Sequence, residues 1–157
     1  EVAPQLEEHL IEPLFEDLLI SYRPKALELG ITLEYALRDP ALMVWADLTM
    51  LGRILSNLIE NALRFTQPGG RITIEAVVYD GAVRIAVRDT GSGISESDLA
   101  KIFERFYQGE GASIRNLSSC GLGLAIVRRL VELQGAEIRV QSKVDVGTEF
   151  YFSLRCV

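Results

Sequence analysis

Apolar residues recur at helical spacing in several stretches of the chain and at every second position in most of the remainder. From Pro13, the residues Leu14, Leu18, Leu19, Tyr22, Ala26 and Leu29 fall on one side of a 3.6-residue repeat. They predict a helix that Gly30 ends and that Pro24 kinks. Asp47 is placed to cap a second, longer helix. Its apolar stripe is Leu48, Leu51, Leu55, Leu58, Ala62 and Phe65, and Gln67-Pro68-Gly69-Gly70 stops it. Ser95-x-x-Asp98 resembles a capping box and opens a short helix with Leu99, Ile102, Phe103 and Phe106 on one face. A further helix runs from near Gly121 to Gln134 and closes at Gly135. Strand patterning occupies residues 31–35, 72–78, 83–87, 137–142 and 148–154, with short candidates at 9–11 and 42–45. Asp80-Gly81 joins two alternating runs and predicts a hairpin. Residues 107–120, rich in Gly, Ser and Asn, have no period and predict a flexible loop. The expected fold is a single α/β domain over 1–157, a two-layer α+β sandwich. Its mixed, mostly antiparallel sheet has about five strands, with three main helices on one face. Residues 1–11 form an N-terminal edge or linker segment.

Composition narrows the functions open to such a fold. The 157 residues are 48% hydrophobic and 24% charged, as in a globular domain. No apolar run approaches the about 18 residues of a membrane span, and the N-terminus has neither a basic start nor an apolar signal core. A net charge of −6 argues against a nucleic-acid partner. It leaves phosphate binding open, because backbone N–H groups can hold phosphate in an acidic protein. Two cysteines, Cys120 and Cys156, make no metal framework or disulfide scaffold, and a cytoplasmic setting is expected. A membrane anchor, if the parent protein has one, would lie outside this chain.

Three clusters could carry chemistry. Asn57, Asn61 and Arg64, spaced four and then three apart, share one helix face. Amide oxygens can ligate Mg²⁺ alongside substrate phosphates, although a plain polar surface would look the same. Asp89-Thr90-Gly91-Ser92-Gly93-Ile94 follows a strand. Its carboxylate can accept from an exocyclic amine such as that of adenine, and its glycines allow close approach to a flat ring. An Asp-capped glycine turn is the alternative. Gly121-Leu122-Gly123-Leu124 opens a helix, whose N–H groups and dipole favour anions, or it is a simple glycine N-cap. No Gly-Lys-Ser/Thr is present, so a Walker loop is excluded.

In this order the clusters resemble the Bergerat-fold ATPases, the superfamily of gyrase, heat-shock chaperone, mismatch-repair and histidine-kinase nucleotide domains. The match is nearest to sensor histidine kinases. Residues 57–66 resemble their asparagine box, and 89–94 the first glycine box. Phe103-Glu104-Arg105-Phe106-Tyr107 resembles the phenylalanine box, 121–127 the second glycine box, and Gly147-Thr148-Glu149-Phe150 the final Gly-Thr segment.

The resemblance implies ATP and Mg²⁺ as cofactors. Asn61 would ligate the metal, with Asn57 and Arg64 at the phosphates. Asp89 would read the adenine amine, with Gly91, Gly93 and Ile94 shaping its pocket and Thr148 assisting through a water. Tyr107 would lie beside the nucleotide. Residues 107–120 would form the ATP lid, and Gly121, Leu122, Gly123 and Leu124 would cradle phosphate. Hydrolytic relatives place a water-activating Glu one turn before the metal Asn. Asn57 stands there, which favours transfer to a protein nucleophile over hydrolysis. Glu60 is a candidate weak base or metal-shell carboxylate, or a surface residue on a turned-away face.

The implied function is the catalytic domain of a two-component sensor kinase. It would donate the γ-phosphate of ATP to a histidine on a dimerisation domain and serve a response regulator. His9-Leu10-Ile11-Glu12-Pro13 does not fit the family's acceptor motif. The chain is therefore not expected to phosphorylate itself, and it is expected to be monomeric because dimerisation in the family belongs mainly to the acceptor-bearing helices. Three positions depart from the family. Ser119-Cys120 precede Gly121 where another glycine is usual, Asp145 stands near an expected glycine, and Gln108 replaces a frequent Arg, for which Arg115 could substitute. A regulatory nucleotide-binding module and an anti-sigma-factor-type serine kinase are the alternatives, and the phenylalanine box argues against the second.

Overall fold

The structure is a computed structural model that describes residues 3–104 and 123–157. The expected lid, with Tyr107, Gln108 and Arg115, lies outside the described residues, as do Arg105, Phe106, Cys120, Gly121 and Leu122. The element order is β1 (Glu7–Leu10), α1 (Glu12–Leu29), β2 (Thr32–Leu37), β3 (Met43–Ala46), α2 (Leu48–Phe65), β4 (Arg71–Tyr79), β5 (Ala82–Asp89), α3 (Glu96–Leu99), α4 (Gly123–Leu133), β6 (Arg139–Lys143) and β7 (Gly147–Cys156).

The sheet has seven strands among the described residues rather than about five, because both short candidates pair. β7 organises it. One edge of β7 is taken along its length by β5. The other is shared by β6 near its start and β3 at its end. β1 adds to β3, while β4 and then β2 extend the opposite side. Only the β2–β4 pair is parallel among the described strands. Asp80 and Gly81 both take positive φ (53° and 78°), the mirror-image turn that suits the twist of β4 and β5.

One sheet face is apolar. Ile72, Ile74, Ile85, Val87, Phe150 and Phe152 are buried beneath the helices. The other face carries charges in register: Arg88 pairs with Glu75 and Glu149, and Arg84 pairs with Glu149 and lies 4.0 Å over the Tyr151 ring. Alternation along each strand thus separates a core side from a solvated side.

The helices differ from the expected pattern where tertiary packing intervenes. α2 lies between α1 and α4. Its buried arc therefore takes in Ile54, Ile59 and Leu63 besides the leucine stripe, whereas Leu48 is exposed. Pro24 lies within a single uninterrupted α1. Its missing N–H falls on a solvent-facing side, where water can serve the carbonyl of exposed Ile20. The short helix after Ser95 ends at Leu99, and turns carry the chain to Glu104. Ser95 does cap it, accepting from the Asp98 N–H at 3.3 Å.

Asp47 joins three parts of the domain. Its Oδ1 accepts from the Met50 N–H at 3.0 Å as the N-cap of α2, and its Oδ2 accepts from the Gln5 N–H at 2.9 Å. Its own N–H donates to Oε1 of Gln134, beyond the end of α4, at 2.8 Å. The hydrogen bonds from Gln5 and Met50 hold its carboxyl below the ordinary Asp value. A depressed folded value means that this stability is present above the unfolded pKa and is lost as pH falls through the folded one. Asp47→Ala is expected to cost about 1 kcal/mol at neutral pH. The gap from wild type should close in acid, as read by urea unfolding at several pH values.

Candidate functional site

The apolar sheet face ends in one polar row. Asp89 closes β5, Thr148 near the start of β7 stands opposite it, and Ser142 of β6 stands opposite Thr148 on the far side. Directly paired residues share a face. All three side chains therefore continue the layer that holds Val87 and Phe150, at the point where that layer turns from hydrocarbon to oxygen.

Asp89 and Thr148 are 7% and 6% exposed, so this is a carboxylate within the fold rather than a surface acid. Its Oδ1 accepts from the Gly91 N–H at 2.8 Å. Burial raises the Asp89 pKa, and the N–H groups of Gly91 and Thr148 offset part of that rise. No cation is paired with it among the described contacts, which leaves acceptor capacity for a ligand donor. Thr148 Oγ1 lies 2.8 Å from Ser142 Oγ. Ser142 Oγ also accepts from the Ile94 N–H at 2.7 Å and donates to the Gly147 carbonyl at 3.0 Å.

The 89–94 loop is wedged between two backbones. A Cβ on Gly91 would come within 2.5 Å of the Phe65 carbonyl at the end of α2. One on Gly93, whose φ is 74°, would collide with the Lys143 carbonyl. Protein groups therefore demand these glycines directly. Hydrogen bonds hold the same wedge: Ser92 N–H to the Phe65 carbonyl at 3.2 Å, and Asp145 N–H to the Ser92 carbonyl at 2.8 Å. Asp145, the departure noted at a family glycine, has φ 65°. It adopts the left-handed conformation that favours glycine there and that Asp tolerates better than most residues.

α2 supplies the second part of the site. Asn57, Asn61 and Arg64 are each partly exposed on one face. Arg64 Nη1 donates to Asn61 Oδ1 at 3.5 Å, so the amide and the cation are neighbours as their spacing predicts. Glu60 turns toward α1, where the Tyr22 hydroxyl donates to its carboxylate at 2.5 Å. Glu60 would have to leave Tyr22 to act as a base. Gly123 begins α4, with no described residue within 4 Å of where a Cβ would stand, and Leu124 packs against the core. Phe103 packs edge-on against Phe150 at 6.2 Å and so anchors the start of the phenylalanine box to the sheet. Phe103 also lines a shallow cleft of about 360 Å³ between α4 and β6. That cleft holds none of the other motif residues, and its rim charges, Arg128 with Glu132 and Arg139 with Glu137, already pair with one another.

Sequence patterning did not single out Ser142, and it placed Tyr22 only on the apolar stripe of the first helix. Ser142 could have been found from its place opposite Thr148, but only once the strand register was known.

The donor set suits a magnesium nucleotide. No group of three or more His, Cys, Asp or Glu capable of holding a metal occurs among the described residues. An amide oxygen such as that of Asn61, beside phosphate oxygens, could hold Mg²⁺. Residues 46–157 match the family model described as histidine kinase-, DNA gyrase B-, and HSP90-like ATPase. The sensor protein SrrB of Staphylococcus aureus is 35% identical over 145 residues, 92% of this chain and 24% of that protein. The chain thus spans about a quarter of the length of that relative. Among solved structures, full-length ShkA in complex with AMPPNP has 35% identity and a TM-score of 0.86, covering 99% of this chain and 32% of that one. The catalytic domain of the histidine kinase ThkA has 25% identity and a TM-score of 0.82, covering 97% and 96%. A histidine-kinase catalytic fold with a buried carboxylate at the end of β5 and an amide-bearing face on α2 is thus joined to a matching family model, and the chain belongs to the histidine kinase-, DNA gyrase B- and HSP90-like ATPases, in the form found in sensor histidine kinases.

Proposed function

We propose that this chain binds Mg–ATP and serves as the catalytic domain of a two-component sensor kinase. Bound Mg–ATP would supply the phosphoryl group for transfer to a histidine on a dimerisation domain. The observation that carries the reading is Asp89: a carboxylate buried at the end of β5 with acceptor capacity left over suits a ligand amine. Asp89 would accept from the adenine amine, with Gly91, Gly93, Ile94 and Thr148 shaping that end. Asn61 would offer its amide oxygen to Mg²⁺. Asn57 and Arg64 would orient and neutralise the phosphate end, and the start of α4 at Gly123 and Leu124 would add its helix dipole. Phosphoryl transfer depends chiefly on such positioning and charge neutralisation. Tyr107, Gly121 and Leu122 complete the proposed site from outside the described residues.

His9 does not supply the acceptor within this fold. It lies on β1 opposite Val44, which pairs with Cys156 at the far end of β7 from Thr148. Thr148 and Cys156 are about 27 Å apart along the strand at the usual rise per residue. We therefore assign the acceptor to a histidine-bearing partner segment. ThkA in complex with the response regulator protein TrrA supports a receiver domain as the next partner. No helix among the described residues is long and apolar enough to cross a membrane, and we place the domain's work in the cytoplasm.

Asp89→Asn and Asn61→Ala should each weaken Mg–ATP binding by about tenfold or more. Calorimetry with unchanged affinity for both would remove the site assignment. Asp89→Asn has a second readout. Because burial raises the folded pKa, the ionised form is disfavoured in the fold. Stability is full below the unfolded pKa and declines as pH rises through the folded one. The variant should therefore melt higher than wild type at neutral pH, with the difference closing in acid. Mixing the chain and Mg–ATP with the dimerisation helices of its parent kinase should place acid-labile phosphate on histidine. Normal nucleotide binding with no transfer would favour a regulatory module instead.

A further inference from the structure

Glu60 directly precedes Asn61 and stands four residues before Arg64, so its carboxylate flanks the face assigned to phosphate. Two attractions compete for it. A Glu one turn ahead of an Arg is in the favoured order for an ion pair along a helix. Against that stands the Tyr22 hydroxyl of α1, which donates to the carboxylate at 2.5 Å. The Tyr22 ring packs against the core, which fixes where its hydroxyl stands. Burial and the bond to Glu60 raise the Tyr22 pKa above that of an ordinary phenol. Tyr22 therefore keeps its proton at neutral pH and holds the carboxylate as an uncharged donor.

We infer that Tyr22 is a positioning residue for the phosphate end: it parks the Glu60 carboxylate against α1 and keeps that negative charge from swinging onto Arg64. This rests on the assignment of Arg64 to phosphate. Released, Glu60 would neutralise part of the cation and would repel the phosphates of a nucleotide. The adenosine part of a nucleotide carries no charge and would be indifferent. Tyr22 lies on α1, outside the motif residues, and acts through Glu60 without touching the ligand.

The test compares ADP with adenosine, each titrated calorimetrically with Mg²⁺ into the whole chain. Wild type should bind ADP more tightly than adenosine. Tyr22→Phe removes the hydroxyl and keeps the ring, and it should weaken ADP by about threefold while leaving adenosine unchanged. The loss should shrink in about 1 M salt, which screens charges near the surface. In a Glu60→Gln background, Tyr22→Phe should not alter the ADP-to-adenosine ratio set by Glu60→Gln alone. A Tyr22 that merely braces α1 against α2 would weaken both ligands in proportion and would do so in the Gln background too, and that result overturns the inference. Tighter ADP binding by Tyr22→Phe also overturns it, since the freed carboxylate would then have joined the metal. A wild-type preference for ADP that Tyr22→Phe leaves unmoved overturns the inference alone. Equal binding of ADP and adenosine by wild type would remove the phosphate-end assignment as well.

Discussion

A carboxylate placed at the end of a hydrocarbon layer constrains everything around it. An isolated buried charge is costly, and a fold keeps one only where hydrogen bonds or a ligand satisfy it. Asp89 has N–H groups from its own loop and from the neighbouring strand, and these offset only part of the burial. The surrounding backbone must therefore be held in place. β5 ends there, the 89–94 loop folds back over the carboxylate, and β7 brings Thr148 alongside. The two glycines that let this loop pass between α2 and the β6–β7 turn serve the same end.

The rest of the domain supplies rigidity for that arrangement. α2 is buried on both flanks. Its last carbonyl, at Phe65, accepts from the loop at Ser92, so one element carries the Asn57, Asn61 and Arg64 face and also props the loop that folds over Asp89. Asp47 fixes the other end of α2 and links it to the end of α4 through Gln134. The two helices assigned to the phosphate end are thus tied to each other far from the site. The ion-paired outer face of the sheet keeps that side solvated and confines the apolar core to the helical side.

Features that depend on local chemistry were legible in the sequence. Asp80-Gly81 marked its hairpin because two left-handed residues in succession suit few pairs. Asp47 and Ser95 marked their helix starts because each accepts from an N–H three residues on. Helical spacing marked Asn57, Asn61 and Arg64 as candidates, the glycine turn after a strand marked Asp89, and the family resemblance added Thr148. What escaped depended on distant parts of the chain. The burial of Ile54 and Ile59 follows from helices on both sides of α2. The parallel β2–β4 pair follows from where β4 is delivered after α2. Ser142 looked like any strand serine until register set it opposite Thr148. The geometric reason for Glu60 turning away is Tyr22, 38 positions earlier, which no local pattern connects to it.

The most direct test of the account is a crystal structure of the chain with Mg²⁺ and a non-hydrolysable ATP analogue. The account predicts the exocyclic amine of the base at about 3 Å from the Asp89 carboxylate, with Asn61 Oδ1 on the metal. A base seated elsewhere, with Asp89 still capped only by its own loop and strand, would contradict it.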